Sequence, residues 1–210
     1  MSRKAYSEQE RKRIKEALLV TMLQCINERG LIHSSIEFIC RRVGISKSYF
    51  YSFFSSKEEL VLYALQYQQP KLLQYAQMLM DHPGLSWREG VGEFLKNCCY
   101  GNRSGIAVLS IEEAQEVYHC LNPENFQVFQ QNQMALFSSL MKIFGVPVSA
   151  MDPRLFGNMI LTMIMVHKAI PDTMPFLFPE TAGDMVEFQI DSLIDKMEQA
   201  KNTEVTNALY

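Results

Sequence analysis

Lys47, Ser48, Tyr49, Tyr51, Ser52 and Lys57 crowd into one short stretch of this 210-residue chain, SKSYFYSFFSSK. Ammonium and hydroxyl groups at such spacing donate hydrogen bonds to anionic oxygens and to the acceptor edges of bases. Ser34 and Ser35, a short way upstream, add hydroxyls where a helix is expected to begin. Phe50, Phe53 and Phe54 interrupt the polar residues and read as core, with Phe50 and Phe54 at i, i+4 on one helix face. Arg41 and Arg42 follow a buried stripe and read as a solvated face.

Such residues need a scaffold that turns them outward. Ile36, Ile39, Cys40 and Val43 form the apolar face of a short helix, and Gly44 supplies a left-handed turn residue to end it. Ile45 packs the turn and Ser46 can cap the next helix. The result is a helix-turn-helix whose second helix presents Lys47 and Ser48 near its start, sized for the major groove of duplex DNA. Tyr49, Tyr51 and Ser52 have hydroxyls for phosphates. Lys57 adds a cation at the N-terminus of the following helix, and Ser34 or Ser35 offers the same kind of seat one helix earlier.

Charge agrees with that placement. Residues 1–60 carry 11 Lys and Arg against 7 Asp and Glu, a net of +4, whereas the rest of the chain is at −7. A basic head on an acidic body points the head alone toward a polyanion.

The run Gly44 to Leu60, GISKSYFYSFFSSKEEL, with Ser34-Ser35-Ile36, Ile39 and Arg29-Gly30 before it, resembles the TetR family of bacterial transcriptional regulators. The resemblance covers about the first quarter of the chain. It implies phosphate contacts by Tyr51 and Lys57, a groove-facing segment from Lys47 to Tyr49, and a C-terminal effector and dimerisation domain. Ser48 stands where glycine is common in the family, Tyr49 where a small residue is usual, and Cys40 where alanine is usual.

Along the whole chain the apolar period is helical and no sustained strand alternation occurs, so the expected class is all-α. Capping boxes are read at Ser7 with Glu10, Ser34 with Glu37, Ser56 with Glu59 and Ser86 with Glu89. Asn122-Pro123 and Asp152-Pro153 mark two further starts. These signals predict about nine helices, roughly 7–29, 35–42, 46–53, 57–81, 86–100, 105–119, 123–144, 153–169 and 180–200, with Pro70 kinking or splitting the fourth. Ile170 to Pro179 reads as a loop. The expected division is a DNA-binding domain over 1–56 and an effector-binding and dimerisation domain over 57–210.

The body gives composition more than identity. Eleven of the 13 methionines follow residue 60. Trp87, Phe94, Cys98, Tyr118, Phe126, Met134, Phe137, Met163 and His167 are the candidates to line a pocket for a small, mostly apolar effector. Residues 156–166 are apolar nearly all round, which calls for burial on both sides. With the stripe Val186, Ile190, Leu193 and Met197, the residues Phe156, Ile160 and Ile164 are expected to form a four-helix interface with a second copy. Gly157 permits a close helix approach. A homodimer would hold two recognition helices about 34–36 Å apart on a palindromic operator. The implied switch is an effector that shifts the long fourth helix and spoils that spacing.

No secretory h-region opens the sequence, and its richest apolar run, Met159 to Val166, is too short to span a bilayer. Five cysteines without metal or disulfide spacing fit free thiols in a reducing cytoplasm, which the resemblance implies is bacterial. No cofactor and no metal are expected. Cys98, Cys99 and Cys120 keep open a thiol-sensing regulator. A small helical enzyme is the remote alternative: His33, His82, His119 and His167 are scattered and no phosphate loop or nucleophile elbow occurs.

Overall fold

The computed structural model describes residues 7–100, 106–170 and 177–207, with side chains as far as 202. Among the described residues there are ten α-helices, one 3-10 turn and no strand. The helices are α1 (Glu8–Arg29), α2 (Ile36–Val43), α3 (Lys47–Phe50), α4 (Lys57–Tyr67), α5 (Gln69–Met80), α6 (Trp87–Tyr100), α7 (Ile111–Cys120), α8 (Pro123–Ile143), α9 (Pro153–Ala169) and α10 (Ala182–Asn207). The chain is all-α, as its periodicity requires.

The last helix runs on to Asn207 rather than 200, and two other elements differ from the expected boundaries for reasons of backbone chemistry. Pro70 splits the fourth helix outright: α4 ends at Tyr67 and α5 starts at Gln69. A proline near a helix start needs no N–H partner, whereas inside a helix it removes one bond and clashes with the preceding turn. The sixth predicted helix begins at Ile111 rather than 105, because Ser110 and Glu113 form a reciprocal capping box there. Gly105, and residues 171–176 of the expected loop, lie outside the described residues.

Two of the four expected capping boxes form reciprocally; at α4 Ser56 Oγ accepts from the Glu59 amide at 3.0 Å, but the Glu59 carboxylate accepts from the Ser55 amide and hydroxyl instead of the Ser56 amide. Ser7 and Glu10 cap each other at α1, and Ser86 and Glu89 do so before α6. At α2 the cap is Ser35, whose Oγ accepts from the Phe38 amide at 3.2 Å, so the Ser34–Glu37 box is out of register by one residue.

The chain folds as two compact units. One comprises residues 1–68 with 107–123, the other 69–106 with 124–210. The first is built on α1 against α2 and α4, with α7 also on α4. Its core includes Leu18, Met22, Ile39, Phe50, Phe54 and Leu60, and Val117 of α7 is likewise buried. Gln68 pins the distant segment down: its side-chain amide both donates to and accepts from the backbone of Ala107, at 2.7 and 2.8 Å.

The second unit packs α6 against α5, α9 and α10. Its core runs through a succession of rings, Tyr75 on Phe94, Phe94 on Phe144, Phe144 on Phe156 and Phe156 on Phe137, with centroids 5.3–6.4 Å apart. Gly157 makes room for one of them, since a Cβ there would lie 2.2 Å from the Phe137 ring.

Candidate nucleic-acid interface

The helix-turn-helix is set by local chemistry. Gly44 takes the left-handed conformation (φ 78°, ψ 32°) and donates to the Cys40 carbonyl at 2.8 Å. Ser46 caps α3, its Oγ accepting from the Tyr49 amide at 3.2 Å. α3 is shorter than expected: after Phe50 the chain continues in tight turns, with Ser52 N–H on the Tyr49 carbonyl and Phe53 N–H on that of Phe50. Phe50 and Phe54 are fully buried and anchor this segment, and Phe53 is half-buried.

An open cleft of about 410 Å³ lies beside the recognition segment. Ser35, Ile36 and Glu37 line it from the start of α2, Lys47 and Tyr51 from the recognition segment, and Ser55, Ser56, Lys57 and Glu58 from the start of α4. Two helix N-termini therefore border one concavity with two ammonium groups and several hydroxyls, an arrangement suited to phosphate oxygens. Tyr51 is exposed, its ring edge-on to Phe50. Lys57 Nζ donates to the Leu31 carbonyl at 3.4 Å. Lys47 pairs with Glu37, which raises the ammonium above its usual range and lowers the carboxyl below its own.

Not every residue expected at the interface stands there. Ser34 is fully buried and donates its hydroxyl to the Gly30 carbonyl at 2.7 Å, so of the two serines it is Ser35 that borders the cleft. Tyr49 faces α1 instead of the groove: its ring meets Phe53 edge-on at 5.1 Å, Arg11 lies over it, and its hydroxyl oxygen is buried. A phosphate cannot reach that hydroxyl without unpacking α1. Ser48 and Ser52 are exposed, the first beside the Ser46 hydroxyl and the second donating to the Tyr49 carbonyl.

Glu113 escaped sequence reasoning as a residue of this unit. Besides capping α7, its carboxylate accepts from the Leu31 amide in the turn before α2 and has an oxygen 2.8 Å from where a Cβ on Gly30 would sit. Leu31 thus has its N–H on α7 and its carbonyl on Lys57. The spacing Ser110–Glu113 signals the cap, but nothing in sequence signals a partner so far away along the chain.

The body candidates are scattered over different roles. Phe94, Cys98, Phe137 and Met163 are buried core. Trp87 is half-buried and donates its indole N–H to the Phe144 carbonyl at 2.7 Å. Met134 is exposed, and Phe126 is half-buried near the start of α8. Tyr118 belongs to the first unit, on α7. His167 meets Tyr100 edge-on at 4.6 Å, and partial burial keeps its imidazole below the usual range.

The expected dimer contacts need correction. Phe156, Ile160, Ile164, Val186, Ile190, Leu193 and Met197 are all buried within the single chain. They are core positions because α9 and α10 turn these faces inward, packing on each other and on α6. Among the described residues, the exposed large apolar side chains of these helices are Leu155, Met159 and Phe188. Cys98 and Cys99 are also buried, and desolvation pushes both thiols up, that of Cys99 to about 12, opposite to what a reactive thiolate needs. Cys120 is exposed.

A family model described as bacterial regulatory proteins, tetR family, matches residues 18–64, from the core face of α1 through most of α4. Among solved structures, the fold is similar to that of a transcriptional regulator from Streptomyces coelicolor A3(2), at TM-score 0.53 and 14% identity over 88% of this chain and 98% of that one. The reduced form of NemR from E. coli matches at TM-score 0.53 and 16% identity, over 83% and 95% of the two chains. A transcriptional regulator from Rhodococcus sp. Rha1 matches at 0.53 and 17%, over 86% and 96%. At these identities the likeness is one of fold. A comparison with curated protein sequences finds no match. No described helix is long and apolar enough to cross a membrane.

Proposed function

We propose that this chain, whose residues 18–64 match the tetR-family model, is a ligand-responsive repressor that binds a palindromic operator as a homodimer. A small, mostly apolar effector releases it, and the setting is the bacterial cytoplasm. One observation carries the reading: the cleft bordered by the starts of α2 and α4, with Lys47, Lys57, Tyr51 and serine hydroxyls on its walls. Tyr51 and Lys57 take phosphates; Lys47 and Ser48 face base edges. Ser35 seats a phosphate at the start of α2. The second copy is received by the exposed apolar residues of α9 and α10, with Phe188, 72% exposed, foremost among them.

Electrophoretic mobility of DNA flanking the protein's own gene, measured across salt, tests this. Binding should weaken steeply as salt rises, and Lys57→Ala should reduce the slope of log affinity against log salt by about one. A shift that is absent, or that ignores salt, refutes the proposal.

A further inference from the structure

The cleft of the first unit holds acids as well as cations, with Glu37 and Glu58 beside Lys47 and Lys57. A surface that only grips a polyanion gains nothing from carboxylates, which repel phosphate oxygens at close range. Glu58 has a local reason to be there, in the first turn of α4 where the helix dipole favours an acid. Glu37 stands in the first turn of α2 too, yet its carboxylate reaches across the turn to Lys47 of the recognition helix. The two side chains are 55% and 50% exposed, so the pair faces outward beside the cleft. The first-turn position accounts for an acid at residue 37 as it does at 58, but an exposed pair of this kind contributes little to stability, so it is the reach of Glu37 to Lys47 that stability leaves unexplained. Its pairing with Lys47 lowers the Glu37 carboxyl below its usual range.

A carboxylate accepts hydrogen bonds and an ammonium donates them. In the major groove, C·G and A·T pairs each set an exocyclic amine beside acceptor atoms, N4 next to guanine O6 in one and N6 next to thymine O4 in the other. Glu37 and Lys47 side by side present the complementary order. Against a phosphate or an all-acceptor edge the same carboxylate is repelled.

We propose that Glu37 is a specificity-determining residue: its carboxylate restrains Lys47 from sequence-independent phosphate binding and accepts from an exocyclic base amine, while Lys47 donates to the neighbouring acceptor. The inference rests on the DNA-binding reading above. Three full-length proteins decide it, the wild type, Glu37→Gln, and Glu37→Gln combined with Lys47→Gln. Each is titrated by fluorescence anisotropy with a mixed-sequence duplex of about 30 base pairs across salt, and each selects duplexes from a randomised pool. Glu37→Gln should bind the mixed duplex roughly tenfold more tightly at about 0.1 M salt, with a slope steeper by about one. The added Lys47→Gln should return the slope to the wild-type value. Sequences selected by Glu37→Gln should lose the wild-type preference for cytosine or adenine at one position of each half-site. Unchanged mixed-duplex affinity and slope, or an unchanged selected sequence, overturns the role of Glu37. A wild type that shows no salt-dependent duplex binding overturns the DNA-binding reading itself, and is seen separately in the first titration.

Discussion

In the first unit, rings carry cations. Arg11 lies over Phe53 with its guanidinium carbon 4.7 Å from the ring centroid, Arg29 over Phe38 at 4.1 Å, and Lys15 over Tyr63 at 5.0 Å. Rings also meet rings there, as Phe50 meets Phe54, and the second unit has Lys201 over Trp87, but what extends through that unit is a succession of rings from Tyr75 through Phe94, Phe144 and Phe156 to Phe137. The contrast shows how to read the charge count. A net of +4 over the first 60 residues overstates the cations held out for a partner, because Arg11, Lys15, Arg29 and Arg42 stack on aromatic faces, and Arg42 also pairs with Glu28. Lys57, low on such ties, and Lys47, restrained by Glu37, are the ammonium groups at the cleft. Cation-bearing rings predominate in the head, and stacked buried rings form the core of the body.

The sharpest way to break that comparison is to remove one fully buried ring from each unit. Phe50→Ala and Phe156→Ala should each cost about 3–5 kcal/mol in urea unfolding. Under conditions where both variants remain folded, Phe50→Ala should also weaken duplex binding, since Phe50 anchors the recognition segment. Equal loss of duplex affinity in Phe156→Ala would erase the division of labour.

A smaller effect tests where the head ends. Glu113→Ala leaves the Leu31 and Ser110 amides without their acceptor, at a cost of about 2–3 kcal/mol. It should lower duplex affinity as well, although Glu113 lies far along the chain from residues 18–64. A change within about 0.5 kcal/mol, as for an ordinary surface position, would detach residues 107–123 from the head's function.

The smallest effect belongs to the body. Lys96, and then the Tyr100 hydroxyl, hold the Glu187 carboxyl below its usual range by hydrogen bonding. A folded value below the unfolded one stabilises fully above the ordinary carboxylate range, and that stabilisation disappears as pH falls through the folded value. Glu187→Gln should therefore cost about 0.5 kcal/mol at neutral pH, after solvent screening, and nothing in strong acid. Urea midpoints of wild type and variant at the two pH values measure it; a gap that persists in acid assigns the effect to packing.

Much of the head is legible in the sequence because its signals are local. Ser46, Gly44 and the Phe50–Phe54 spacing each act within a few residues, so the turn and the placement of Lys47 follow from composition alone. Tyr49 shows the limit. Its residue type suits a phosphate, but α1, which begins some forty residues earlier, closes over the ring. The apolar stripes of α9 and α10 show another: periodicity says that a face is buried, and it does not say against what.

Most helices, the caps at Ser7, Ser46 and Ser86, a break at Pro70 and the cationic, hydroxyl-bearing recognition segment were determined by the order of residues, since each depends on neighbours a turn or two away. Only the tertiary structure decided that α7 joins the first unit through Glu113 and Gln68, that Tyr49 turns inward, that Glu37 meets Lys47, and that the stripes of α9 and α10 serve their own chain. Those outcomes depend on which surfaces come together over long separations, where side-chain shape and unpaired polar groups select the partner and no local pattern records the choice.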